Sequence, residues 1–259
     1  GRMMLTTDGP EQARYRNAGR PAFTPAAIRA TVEDRIRATA TGLIDRFAAT
    51  ERVDLRPAFA ARLPILTMLD LFGLPASDEP VFREWYNRFE AALSNLKGDP
   101  VICEKAEDAV AAFRSLLTRA MAGQPREPSL LGALMGHSSG LSEDEIVRNS
   151  LVILFGGIST VEALILNALW VVLNDANVRS RVLRDPAMIS ALIEETIRWQ
   201  APVQTATRYV TRDTEFEGVT LHAGDTVNCI LGAANRDGRI FTSPDVFEDR
   251  KSTRLNSSH

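Results

Sequence analysis

Ser142-Glu-Asp-Glu-Ile-Val-Arg-Asn-Ser-Leu-Val-Ile-Leu-Phe-Gly-Gly-Ile-Ser-Thr160 decides how the rest of the chain is read. Ser142 and Glu145 stand at capping-box spacing, a hydroxyl for one orphan amide and a carboxylate for the other. The apolar run from Ser150 to Val161 that follows predicts the longest helix of the chain, to about Leu173. Its flanks, Arg148 and Asn149 on one side and Glu162 on the other, make it a buried helix rather than a membrane span. Gly156 and Gly157 interrupt it, and each costs about 1 kcal/mol relative to alanine in a helix interior. Either a flat ligand or a kink offsets that cost, or another helix packs closely over the small residues. Thr160 can bond its hydroxyl back to the carbonyl of Gly156 or Gly157 and open the helical ladder there.

Most of the chain before and just after this helix also reads as helical. Thr24-Pro25 caps a helix whose Ile28, Val32, Ile36, Leu43 and Phe47 fall on one face to about Ala49. Pro64 to Phe72 is a short apolar helix stopped by Gly73-Leu74-Pro75. Ser77 is expected to cap the next, with Phe82, Trp85, Phe89 and Leu93 as an aromatic stripe. Asp99-Pro100 opens another, with Val110, Phe113, Leu117 and Met121 inward and Gly123 as its stop. Val178 to Leu183 and the segment after Asp185-Pro186 continue the helical pattern as far as Pro202.

Beyond Pro202 the texture changes to short strands, at Arg208 to Arg212, Thr214 to Phe216, Val219 to Leu221 and Thr226 to Leu231. Glu217-Gly218 and Ala223-Gly224-Asp225 supply turns. The fold class is mainly α with a small antiparallel β part, an α+β layout.

Composition narrows the function. The 259 residues are 45% hydrophobic and 24% charged, ordinary for a globular protein. Thirty basic and 33 acidic residues, a net charge of −3, lack the surplus of a nucleic-acid binder. Two cysteines and three histidines fit neither a disulfide scaffold nor a metal box, and Cys103 and Cys229 are expected to be buried, inert thiols. No secretory signal opens the chain, so a cytoplasmic protein is expected. The last residues, 249–259, match a translated sequencing-library adapter and are expected to be a non-native tail, leaving 1–248 as the domain.

Several other side chains could carry chemistry. Glu195 and Arg198, three apart on a helix, could form an ion pair, buried or solvated. Arg14 and Arg16 are two apart and diverge, so they cannot grip one anion. Arg208 is expected to open a strand, where it could reach across a pocket mouth or simply stand on a sheet edge. His137 and His222 read as loop histidines.

Taken together and in order, these pieces resemble a bacterial cytochrome P-450, a haem-thiolate monooxygenase. The resemblance rests on Met4 to Arg16 with Pro21-Ala-Phe-Thr-Pro25, on Phe155 to Thr160, on Glu195-Thr-Ile-Arg198, and on Pro202 to Arg208 with Ala234-Asn-Arg-Asp237. It implies that Arg16 and Arg208 hold the propionates of a haem b, with Gln12 where many members carry histidine. It further implies that Gly156 and Gly157 lie against the porphyrin and that Thr160 positions the water that delivers protons. Glu195 and Arg198 would brace the fold. Val152, Phe155, Val203 and Gln204 would contact substrate, with the Trp85–Phe89 helix as a roof.

Two departures matter. Ser159 stands where the family usually has an acid, so it could relay a proton without supplying the charge. Glu162 is no obvious substitute, being about 200° around the helix from Thr160. The signature Phe-x-x-Gly-x-x-x-Cys-x-Gly is absent, and neither cysteine has its context, so the chain as given lacks the iron-ligating thiolate. The third arginine of the Glu195–Arg198 triad is expected near position 251, and the family's N-terminal strands and B region are missing. The expectation is therefore a truncated P-450 fold, inactive as given. Its parent would insert one atom of O2 into an apolar small molecule, with electrons from a ferredoxin-type donor and no nucleic-acid or membrane partner. The competitors are a non-enzymatic helical small-molecule binding module and a haem protein ligated by His137 or His222.

Overall fold

The structure, a computed structural model, describes residues 2–95, 97–123, 128–136 and 140–248. His137 and the adapter-like segment 249–259 lie outside the described residues. The chain divides into two compact units, Gly1–Glu162 and Ala163–His259.

The first unit is helical throughout: α1 (Gly9–Gly19), α2 (Pro25–Thr31), α3 (Glu33–Asp45), α4 (Arg62–Phe72), α5 (Glu79–Leu93), α6 (Pro100–Ala122), α7 (Leu130–Met135) and the first part of α8 (Glu143–Asn174). Local chemistry explains most boundaries. The Thr24 hydroxyl accepts the Ala27 amide at 3.2 Å, with Pro25 at the first helical position. Asp99 accepts from Val101 at 2.9 Å and starts α6. Ser142 and Glu145 form the reciprocal capping box, at 2.9 Å and 3.3 Å. Gly73 ends α4 at φ 77°, a left-handed cap that glycine adopts without Cβ strain, and Leu74 donates back to Leu69 O at 2.8 Å.

Two sequence expectations fail here. The single helix foreseen from Pro25 to about Ala49 is interrupted at Val32, whose φ of −118° distorts the turn between α2 and α3 although its i to i−4 bonds persist, and α3 ends at Asp45. Its supposed one-sided stripe is not buried as a unit: Val32 and Leu43 are, whereas Ile28 is exposed. Ser77 does not cap α5 either. Ala76–Asp78 form a 3-10 turn, and α5 starts at Glu79, which is buried and ion-paired with Arg62 at 3.0 Å. No side chain caps that start; Pro80 in its first turn is the local signal, and Glu79 ties it to Arg62.

The core of this unit brings Ile65, Leu69 and Phe72 of α4 together with Phe82, Phe113, Leu117, Leu130, Leu131 and Leu134. Phe82 and Phe113 meet edge to face at 5.9 Å. Ile146, Val147, Leu154 and Ile158 of α8 join them. α8 is the one described helix long and apolar enough, by length and composition, to cross a membrane.

The second unit holds the rest of α8, then α9 (Ala176–Arg184), α10 (Met188–Trp199) and α11 (Leu231–Ala234). Val171, Val178 and Leu192 form its small core, packed by Trp199 and Phe247. β1 (Thr205–Tyr209) pairs antiparallel with β4 (Thr226–Ile230), Arg208 opposite Val227. β2 (Thr214–Phe216) and β3 (Val219–Leu221) form a hairpin, turned by Glu217 at φ 50° and Gly218 at φ 76°. The first strand therefore starts three residues before the expected Arg208, because its partner β4 sets the paired stretch.

Candidate functional site

In the first unit the site is built on α8. Its two glycines divide the two explanations between them. A Cβ on Gly157 would stand 2.8 Å from Met68 Sδ, so the bare backbone is what lets α4 pack against α8. A Cβ on Gly156 would meet nothing within 4 Å, and this residue is exposed. Close packing accounts for one glycine and open space borders the other. Thr160 Oγ1 donates to Gly156 O at 2.7 Å, the back-bond its spacing suggested.

Val152 and Phe155 lie on a cavity of about 350 Å³ with Phe89, Ala92 and Leu93 of α5, Ala106 and Val110 of α6, and Met3 and Leu5. Every lining side chain named is apolar. Trp85 is not among them: half-buried, it packs against the core, 5.4 Å from Phe82 and 6.4 Å from Phe113. Only the C-terminal part of α5 contributes to the cavity wall.

Sequence reasoning did not foresee Tyr86. Its hydroxyl accepts the Ser159 amide at 3.0 Å, and its ring stacks on Phe155 at 6.3 Å and 25°. Burial pushes this hydroxyl up to about 12. Glu162, also on α8, pairs with Arg56 at 2.7 Å.

On α1 the two arginines diverge as their spacing requires. Arg14 pairs with Glu145 and donates to Gly140 O at 3.0 Å. Tyr15, buried, donates to Glu11 at 2.8 Å and lies 3.2 Å from Glu145. The Arg14 guanidinium, helped by the Ser142 amide, pulls the Glu145 carboxyl down to about 2. Arg16 is exposed and has no carboxylate partner among the described residues, and Gln12 is half-buried beside it on the same helix.

In the second unit, Glu195 and Arg198 form a buried ion pair, with side chains 3% and 10% exposed. Arg198 Nε and Nη2 grip the two carboxylate oxygens at 2.8 Å and 2.6 Å. Its remaining hydrogens go to the carbonyls of Asn235, Pro244 and Val246 at 3.0, 2.8 and 2.9 Å, so all five guanidinium donors are used. Glu195 Oε1 also accepts the Glu248 amide at 2.8 Å. The adjoining carboxylate raises the Arg198 pKa further. The third arginine expected near position 251 lies outside the described residues.

Arg208 is the fourth residue of β1 rather than its first. It is exposed, donates to Thr207 O at 2.9 Å, and has no carboxylate partner among the described residues. Val203 is exposed. Gln204 turns its amide back on its own loop, Nε2 donating to Ala201 O at 2.6 Å, and its oxygen sits where a Cβ on Gly232 would fall. That fold-back was not legible in the sequence.

Both cysteines are exposed, against expectation. Cys103 sits in the solvent-facing first turn of α6, 3.4 Å from Asn95 Nδ2, and Cys229 on an open strand face. His222 is exposed in its hairpin, 3.5 Å from Asp213. For a haem, the open backbone at Gly156 suits a flat face, and Arg16 and Arg208, free of carboxylates, suit propionates. Neither described cysteine has surroundings suited to binding iron. Gly156, Arg16 and Arg208, each taken within its own unit, are of a kind that would hold such a group.

A family model, "Cytochrome P450", matches residues 102–251. "Cytochrome P450 107B1" of Saccharopolyspora erythraea is 32% identical over 98% of this chain and 62% of its own length. Among solved structures, CalO2 superposes with a TM-score of 0.90 at 30% identity, covering 96% of this chain and 64% of CalO2. P450BioI, in complex with a hexadec-9Z-enoic acid ligated acyl carrier protein, superposes with a TM-score of 0.87 at 27% identity, over 99% and 66%. The chain belongs to the cytochrome P450 family. It spans somewhat less than two thirds of the length of the curated relatives it matches.

Proposed function

We propose that this chain is part of a haem-dependent monooxygenase that inserts one oxygen atom of O2 into an apolar small molecule. The observation that carries the reading is on α8: within two turns the helix presents an apolar cavity, an open glycine and a threonine hydroxyl bonded back into the helix. Haem b, when bound, supplies the iron chemistry that activates O2. The chain's own residues do the rest. Arg16 and Arg208, with Gln12, hold propionates through charge-assisted hydrogen bonds. Gly156 admits the flat face, and Gly157 sets the packing of α4 under it.

The Thr160 hydroxyl orients a water for proton delivery, and Ser159 relays the proton without contributing a charge. Val152 and Phe155 exclude water from the substrate, as do Val203 and the aliphatic part of Gln204. Glu195 and Arg198 have a structural task, tying α10 to the segment 235–248. A ferredoxin-type protein is the expected electron donor, and the cytoplasm the expected compartment.

The chain as given is inactive in this reading, for want of a thiolate. Adding haem, reducing and equilibrating with carbon monoxide should give no thiolate-type long-wavelength Soret band; such a band would overturn the inactivity. Sequencing the gene through the codon for Glu248 tests the enzyme itself. Continuation into Phe-x-x-Gly-x-x-x-Cys-x-Gly supports it. A natural stop after His259 would replace it with a non-enzymatic binding module using the same cavity.

A further inference from the structure

α5 reaches α8 at two points one helical turn apart, through a single side chain. The Tyr86 ring stacks on Phe155 at 6.3 Å, and its hydroxyl accepts the Ser159 amide at 3.0 Å. In an unbroken α-helix the Ser159 amide belongs to the Phe155 carbonyl, four residues back. An amide has one hydrogen, so what Tyr86 takes is withdrawn from Phe155 O. One residue on, the Gly156 carbonyl is also engaged by a side chain, Thr160 Oγ1 at 2.7 Å. Side chains thus engage the ladder at two successive residues beside the open glycine, competing for the amide at Ser159 and adding a second donor at the Gly156 carbonyl.

We infer that Tyr86 is a positioning residue that loosens the α8 ladder at Ser159, by taking that amide while its ring fixes Phe155. The hydroxyl suits this task. Tyr86 is only 3% exposed, and burial keeps its hydroxyl protonated, so it stays a neutral acceptor for the amide. On its other side Tyr86 borders a cavity of about 270 Å³, lined by Ile65, Ile158 and Pro57 together with Arg56, Arg83 and Glu162. Three residues further along α5, Phe89 lines the apolar cavity beside Phe155. The same helix therefore lines the apolar cavity and reaches the Ser159 rung. A serine amide is a sufficient partner for Tyr86, so the arrangement does not need the acid that Ser159 replaces.

The role rests on α8 being the working part of the site, but its test does not need haem. Hydrogen-bond scalar coupling between the Ser159 amide nitrogen and the Phe155 carbonyl carbon reads the rung directly in the isotope-labelled chain. The expected result is no detectable coupling for this pair, with coupling present in the rungs before it, such as Leu154 to Ser150. Tyr86→Phe removes the hydroxyl and keeps the stacked ring, and the Ser159–Phe155 coupling should then appear. Coupling already present in the unsubstituted chain would overturn the inference, as would its continued absence in a folded Y86F chain. If Y86F does not fold, the measurement on the unsubstituted chain still decides. Failure of the haem reading would show in the gene sequence and the carbon monoxide spectrum, and would leave this coupling unchanged.

Discussion

Replacing Arg198 with methionine should be among the most damaging single changes in the second unit. The guanidinium occupies a site where all five donors are used, two on Glu195 and three on the carbonyls of Asn235, Pro244 and Val246. Methionine fills similar space but leaves Glu195, 3% exposed, with the Glu248 amide as its remaining hydrogen-bond partner. Removing one partner of a buried pair costs about 3–5 kcal/mol, because the other charge stays desolvated. Domains are typically stable by only about 5–15 kcal/mol, so this is a large fraction. With a urea slope of roughly 2 kcal/mol per M, the unfolding midpoint of this unit should fall by about 2 M.

Tryptophan emission is a suitable probe. Trp199 stacks on Trp170 at 6.0 Å and its indole donates to Asp245 O at 2.9 Å, in the segment that Arg198 anchors. Arg198→Lys keeps the charge but not the planar fork, and should fall between the two. A double variant, Glu195→Leu with Arg198→Met, should regain part of the loss, since no charge is then left buried. A midpoint shift below about 0.5 M for R198M, or no recovery in the double variant, would refute the argument.

The glycines of α8 should respond oppositely to alanine. Gly156→Ala enters open space and should stabilise the helix by about 1 kcal/mol, whereas Gly157→Ala drives a methyl against Met68 and should be less stable than G156A by about 1–2 kcal/mol; thermal melts of the two variants compare them. Glu145 links stability to pH. Its carboxyl sits near 2 in the folded chain against an ordinary 4.5, so its contribution is complete above about 4.5 and is lost as pH falls toward 2. Arg14→Gln should flatten that part of the acid-unfolding curve, and an unchanged curve would remove Arg14 as the cause.

Much of the helical scaffold could be read directly, because its signals are local. The caps at Thr24, Asp99 and Ser142, the stop at Gly73 and the Thr160 back-bond each join residues at most five apart. The Glu195–Arg198 pair was visible as a spacing. Its burial was not, because the carbonyls that complete it come from residues 37 to 48 positions away. The same limit explains the errors. Val32 interrupts a helix that periodicity ran straight through, and α5 starts without the expected serine cap, its first residue Glu79 paired with Arg62 seventeen residues back.

Sequence by itself determined most of the long helices and the short strands after Pro202, since helix periodicity and capping act within one or two turns; the short helices Leu130–Met135 and Leu231–Ala234 escaped it. Only the tertiary structure decided which glycine is packed and which is open, that Gln204 folds back on its own loop, and that Tyr86 meets Ser159 across 73 residues, Arg56 meets Glu162 across 106, and Arg14 meets Glu145 across 131. Contacts of that separation depend on how whole helices pack, and a side chain's neighbours in sequence carry no record of them.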